Sequence, residues 1–206
     1  MHLEALTSEG KDLYPFLHTF KEFYLAGGTG LALQIGHRIS VDFDLFSQQE
    51  IEAGLLTRIE QVFGHADVTV SVNHTGELTV FVRGVKLTFL SYPFPPVLKL
   101  ASLDGLPTLS VKEIGVTKAY TIGRRGAFKD YIDLYFILKE AYASLEEIIV
   151  LAQKKYGSEF NDRLFLEQLA YLDDLDESPV VLLREKSLTR KDLGVFFADC
   201  IRAIRL

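Results

Sequence analysis

A single cysteine, Cys200, occurs in the 206 residues. No disulfide framework can form within the chain, and a Cys-only zinc site is excluded. Long apolar runs are missing too. None approaches the roughly 18 residues that a bilayer-spanning helix needs. From Met1 to Tyr14 the chain shows neither a basic leader region nor an apolar signal core. The expectation is cytoplasmic residence with no membrane partner. Positive charge is in short supply, with 22 Lys and Arg against 28 Asp and Glu, for a net charge of −6. That balance argues against a protein that coats nucleic acid along its whole surface, but it leaves room for a local basic groove. What is present fits a globular chain long enough to bury a real core, at 48% hydrophobic and 24% charged residues.

The pattern along the chain changes near residue 105. Residues 7–22 carry a helical stripe of Leu13, Phe16, Leu17 and Phe20, which Pro15 should kink or split. Phe23 to Ala26 reads as a buried strand ending at Gly27-Gly28. Thr29 to Ile35 reads as a helix stopped by Gly36. Val41 to Phe46 alternates apolar and acidic residues, the period of a strand. Residues 48–63 are amphipathic with helical spacing. Strand-like runs follow at Val68 to Val72, Leu78 to Val82 and Val85 to Leu90, the last two joined by Arg83-Gly84, a hairpin signal. The proline-rich stretch from Tyr92 to Pro96 cannot continue a central strand. Helices are expected near 111–123, 128–140, 144–156, 161–172 and 189–204, with Thr189 and Asp192 as a capping box for the last. The fold class is α/β of the α+β type. Its α/β core occupies 1–105, and a helical C-terminal region occupies 106–206.

The most informative stretch runs from Gly27 to Phe46. Asp42 and Asp44 are two apart on an expected strand, so both side chains share one face with alpha carbons roughly 7 Å apart. Two adjacent carboxylates repel unless a cation sits between them, and a hard divalent ion such as Mg²⁺ is the usual solution. Two such ions can activate an attacking oxygen and stabilise a leaving one. Gly27-Gly28 opens the preceding helix, where glycine lets a phosphate approach backbone N–H groups. No Gly-Lys-Ser/Thr follows, so this is not a Walker loop. The G-x-G-x-x-G spacing also fails.

These residues, written GGTGLAL, GHR and SVDFDLF, resemble the nucleotidyltransferase superfamily, and within it the AbiEii/AbiGii-type toxin family. A second match comprises KAYTIGRRG from Lys118 and KDYIDLY from Lys129. The resemblance covers roughly residues 20–140. It implies a small mixed sheet flanked by helices. It also implies a Mg²⁺-dependent reaction that moves a nucleoside monophosphate from an NTP to an acceptor, either RNA or protein, and a cognate antitoxin as partner. Gly27, Gly28 and Thr29 would cradle the triphosphate, joined by Arg38 and Ser40. Asp42 and Asp44 would hold the metal and carry catalysis. Lys118 would approach the phosphates, and Asp130 would act as a base or orienting group.

The chain departs from that pattern in two places. The strand expected to supply a third carboxylate carries Thr88 at the matching position. Either Asp104 or Asp130 completes the site, or the chain binds nucleotide without turning it over. Lys129 stands where the family commonly has arginine, which keeps charge but loses bidentate geometry. Blander readings accompany the rest. Asp133 could pair with Arg124 or Arg125. His37 could orient its loop, and Cys200 reads as a packed core thiol. The acidic stretch with Asp173, Asp174, Asp176 and Glu177, and the basic one with Arg184, Lys186, Arg190, Lys191, Arg202 and Arg205, read first as solvated faces. A further basic group, Lys118, Arg124, Arg125 and Lys129, could receive a triphosphate or an RNA end.

Overall fold

The computed structural model describes residues 1–175 and 177–204, and the backbone alone at Arg125. Asp176, Arg205 and the Arg125 side chain lie outside the described residues. The chain divides into two compact units. The first holds Met1–Pro95 and Lys99–Leu109, and the second holds Pro96–Leu98 and Ser110–Leu206. The expected boundary at residue 105 would cut a hairpin that belongs wholly to the first unit.

The first unit is built on one mixed sheet. Its strands are β1 (Tyr24–Ala26), β2 (Phe43–Ser47), β3 (Val68–His74), β4 (Glu77–Val82), β5 (Val85–Ser91), β6 (Ala101–Leu103) and β7 (Leu106–Thr108). Their order is β3-β4-β5-β2-β1-β7-β6. β2 runs parallel to β5 and β1 runs parallel to β7, while the other neighbours are antiparallel. The helices of this unit are α1 (Ser8–Leu13), α2 (Gly27–Ile35) and α3 (Leu55–Phe63).

Alternation decides what the sheet shows on each side. In β2 and β5, Phe43, Leu45, Val85, Leu87 and Phe89 are buried, while Asp44, Phe46, Lys86 and Thr88 are only half-buried. The apolar set joins Leu13, Leu17 and Phe20 and the α3 residues Leu55, Ile59 and Phe63 in one core. Phe89 anchors it, meeting Phe20 and Phe23 edge-on at 5.1 Å between ring centroids. The half-buried set leaves the acids on the opposite face.

Several local departures from the sequence reading have plain causes. Pro15 ends α1, and the chain tightens into a 3₁₀ stretch over Tyr14–Thr19. The helix expected from residue 48 starts only at Leu55, behind Gly54, which offers no side-chain cap. Asp42 lies one residue before β2 rather than inside it, and Val41 is exposed. The β6–β7 hairpin was not expected. It turns on Asp104-Gly105, with φ of 47° and 86°, the positive pair that a type I′ turn requires.

The second unit is helical. It contains α4 (Val111–Arg125), α5 (Phe128–Lys139), α6 (Leu145–Tyr156), α7 (Asp162–Ala170) and α8 (Arg190–Ala203). Side-chain caps start four of them. Ser110, Ser144, Asn161 and Thr189 accept from backbone N–H groups of α4, α6, α7 and α8, and Asp192 closes the box at Thr189. Glu113 fixes the short Pro96–Leu98 segment to α4. Its carboxylate accepts from Leu98 N at 2.9 Å and Val97 N at 3.2 Å and meets Lys155 Nζ at 2.5 Å. Burial pushes the Lys155 ammonium below its ordinary pKa, while the Glu113 carboxylate pulls the other way. Cys200 is half-buried on α8 rather than packed in a core, and that burial raises its thiol pKa. Among the described residues no helix is long and apolar enough to cross a membrane.

Candidate active site

The site in the first unit forms where β1 hands over to α2. Gly27 begins α2 with φ of +63°. A β-carbon there would lie 2.2 Å from the Asp44 Oδ2 atom. Only glycine combines that conformation with that approach. The preceding N-cap residue, Ala26, has no side chain to satisfy the first N–H groups of the helix. Gly27 and Gly28 are half-exposed. The N-terminus of α2 is therefore open for an anion and sits against an acid.

Antiparallel register places Ala26 opposite Asp44. Asp42 is held near it by a second tie. The Thr29 hydroxyl donates to the Asp42 carbonyl and shares a 2.7 Å hydrogen bond with Ser40 Oγ. Thr29 is 2% exposed and Ser40 is 8% exposed. Their hydroxyls fix the approach to β2 rather than facing outward. Ser40 N also donates to Ala5 O at 2.8 Å. Arg38 is buried and donates to Ile39 O at 3.0 Å, and His37 is fully buried beside it.

The acid pair already attracts a cation. Lys86 Nζ on β5 lies 3.2 Å from Asp42 Oδ2, with both side chains about one-third exposed. Among the described residues no group of three or more His, Cys, Asp or Glu could hold a metal by itself. Two carboxylates still fit Mg²⁺, which commonly takes one or two protein carboxylates and completes its shell with water and substrate phosphates. The Asp44 carboxylate packs directly against Gly27, so a metal on it would lie beside the half-exposed start of α2.

Thr88 occupies the strand beside Asp44. The parallel register pairs Asp44 with Thr88 directly. Asp104 cannot reach this point. β7 runs parallel to β1, so the turn before β7 lies at the end of the sheet where β1 begins, and Gly27 follows the other end.

The second unit gathers Lys118, Asp130 and Asp133. Lys118 Nζ lies 2.7 Å from Asp130 Oδ1 and 2.5 Å from Asp133 Oδ2, and all three side chains are at least 93% buried. Asp130 Oδ2 also accepts from Ala127 N at 3.2 Å, closing the start of α5. Asp133 thus pairs with Lys118. Arg124 turns instead to Glu159 and lies 4.3 Å over the Tyr120 ring, which stacks on Tyr156 at 3.9 Å. Within the suggested basic group, Lys118 is buried and Lys129 is exposed. Sequence reasoning missed Lys86 as a partner of the acids. The signal was available, because Lys86 shares the Thr88 face by alternation.

Comparison with known proteins identifies the family and the fold. The family model described as Nucleotidyl transferase AbiEii toxin, Type IV TA system matches residues 12–205. An uncharacterised protein of Aquifex aeolicus (strain VF5) is 30% identical over 158 residues, covering 76% of each chain. A crystal structure from Helicobacter pylori, described as a candidate nucleotidyltransferase, aligns with TM-score 0.57 at 17% identity, over 95% of this chain and 96% of that one. The nucleotidyltransferase toxin MenT4 of Mycobacterium tuberculosis H37Rv aligns with TM-score 0.56 at 17% identity, over 89% of this chain and 76% of that one. These solved structures share the nucleotidyltransferase fold. The chain belongs to the AbiEii family of nucleotidyltransferase toxins of type IV toxin–antitoxin systems.

Proposed function

We propose that this nucleotidyltransferase moves a nucleoside monophosphate from an NTP to an acceptor hydroxyl and releases pyrophosphate. The observation that carries the reading is the approach of Gly27 to Asp44. An uncapped helix N-terminus with a pair of acids beside it suits a phosphate chain and its counter-ion. Gly27 and Gly28 offer backbone N–H groups to the phosphates. Asp42 and Asp44 hold Mg²⁺, which when bound would neutralise charge developing on the phosphate oxygens. Thr29 and Ser40 keep Asp42 in place through their shared hydroxyl contact. Arg38 supports the same loop from within.

Lys118, Asp130 and Asp133 form a buried ion-paired set. A phosphate role for Lys118 requires one carboxylate to release it. The simpler role supported by the contacts is to position α4 against α5, with Asp130 orienting rather than accepting a proton.

Transfer of label from α-³²P NTP tests the proposal. Asp42→Ala and Asp44→Ala should each abolish it, and chelation of the metal should do the same. Unchanged labelling in both variants would sink the reading. A second reading is motivated by Thr88, which carries no charge where an acid is expected. It holds that the chain binds NTP without turnover. Calorimetric NTP binding with no label transferred to RNA or protein would favour it. The acceptor is proposed to be an RNA end or a protein hydroxyl. The partner is proposed to be the cognate antitoxin, and growth arrest on expression, relieved by its neighbouring gene product, checks that role.

A further inference from the structure

The face of the sheet that carries Asp44 holds a polar row across three strands. Asp44 on β2 pairs with Thr88 on β5, and Thr88 pairs with Thr79 on β4. The row ends at Glu77. The Thr79 hydroxyl lies 2.7 Å from Glu77 Oε1 and 3.4 Å from Thr88 Oγ1. A carboxylate only accepts, so Thr79 donates its single proton to Glu77. Thr88 is then the donor towards Thr79. The row has one direction, from Thr88 to Glu77. Thr79 is 5% exposed, which shields the middle of the row from competing water. Glu77 itself is half-buried and can exchange a proton with solvent.

We propose that Glu77 is the terminal proton acceptor for the transfer reaction, reached from the acceptor hydroxyl through Thr88 and Thr79. The missing third carboxylate is thus supplied one strand further out. The inference rests on the transfer reading above. As the acceptor oxygen bonds to the α-phosphorus, the bond from that phosphorus to the bridging oxygen breaks and pyrophosphate leaves. The acceptor proton passes to Thr88 Oγ1, the Thr88 proton passes to Thr79 Oγ1, and the Thr79 proton passes to Glu77. Solvent then removes it from Glu77. The 3.4 Å step is longer than an ordinary hydroxyl hydrogen bond. Catalytic hydrogen bonds are commonly long without substrate and tighten in the reactive complex.

The test uses the full chain with Mg²⁺, α-³²P-labelled NTPs and a clarified cell lysate, which supplies both RNA and protein acceptors. Label is counted in both classes, and NTP affinity is measured separately by equilibrium dialysis. Glu77→Gln and Thr79→Val should each lower labelling by about 10²- to 10⁴-fold, the range of general-base contributions, with NTP affinity unchanged. Adding Thr88→Asp to Glu77→Gln should restore most of the labelling, because a carboxylate then sits beside Asp44 directly. Wild-type labelling in Glu77→Gln and Thr79→Val, with Asp44→Ala silent, overturns the row and leaves the transfer reading standing. NTP affinity that falls in step with labelling, or no rescue by Thr88→Asp, assigns Glu77 to the fold and also overturns it. An unlabelled wild-type reaction contradicts the transfer reading and removes the row with it.

Discussion

The two units use the same residue types in opposite ways. In the first, Asp42 and Asp44 stand half-exposed on one sheet face, with Lys86 as a partly exposed neighbour. In the second, Lys118 meets Asp130 and Asp133, and Lys155 meets Glu113, with all these side chains almost fully buried. Burial of a charge is costly unless it is paired and hydrogen-bonded. The buried sets meet that condition, so their acids hold helices and a connecting segment. The exposed pair stands half-buried beside an open helix N-terminus, with Lys86 against Asp42. Half-exposed acids at a helix start point to chemistry. Acids matched in the interior point to architecture.

The sharpest way to break that contrast is to remove one acid from each unit. Asp44→Asn should lower nucleotidyl transfer by about 10²- to 10³-fold, the scale of losing one group that stabilises developing charge. Its urea unfolding midpoint should stay close to wild type. Glu113→Ala should do the reverse. It orphans the buried Lys155 ammonium and frees the Pro96–Leu98 amides, so unfolding should cost about 3–5 kcal/mol less. Loss of activity in Glu113→Ala without loss of stability would contradict the assignment.

Lys118→Met sharpens the same comparison. It leaves Asp130 and Asp133 adjacent and buried without their cation. A destabilisation of about 3–5 kcal/mol is expected, readable in denaturant melts. Melts unchanged from wild type, together with lost transfer, would return Lys118 to a direct phosphate role.

Gly27→Ala should have a smaller effect on stability and a large one on the site. The left-handed backbone conformation costs about 1–3 kcal/mol for a residue with a side chain. The new methyl also drives into the Asp44 carboxylate. Weakened NTP binding by dialysis, with the fold retained in circular dichroism, is the expected result.

The smallest effect concerns the tyrosines, one in each unit. Burial pushes Tyr14 and Tyr131 up to about 12, with Asp104 and Asp130 respectively adding to the shift. Ultraviolet titration of the nine tyrosines should show late-ionising groups. The unfolded chain ionises near 10 and therefore binds fewer protons there than the folded one. Stability should fall as pH climbs from 10 towards 12.

Much of this was legible in the sequence, for reasons specific to each element. Alternation exposed the polar face of β5, and the capping box of Thr189 with Asp192 marked a helix start. Gly36 takes the left-handed conformation that ends α2. The Asp104-Gly105 turn is itself a hairpin signal, but β6 and β7 beside it are hard to read. Their three-residue lengths give periodicity little to show. Other features were beyond a linear reading. Parallel pairing of β2 with β5 is a matter of topology, so the row from Asp44 through Thr88 to Thr79 emerges only when three strands are set side by side. The reach of Lys118 to Asp130 and Asp133, and of Lys155 to Glu113, depends on which helices pack together. Helical spacing does not encode that choice.

A crystal structure with Mg²⁺ and a non-hydrolysable NTP measures the central claim directly. The metal should lie about 2.1 Å from carboxylate oxygens of Asp42 and Asp44, with the phosphates on the N–H groups of Gly27 and Gly28. A triphosphate bound elsewhere, with both aspartates uncoordinated, would contradict the account.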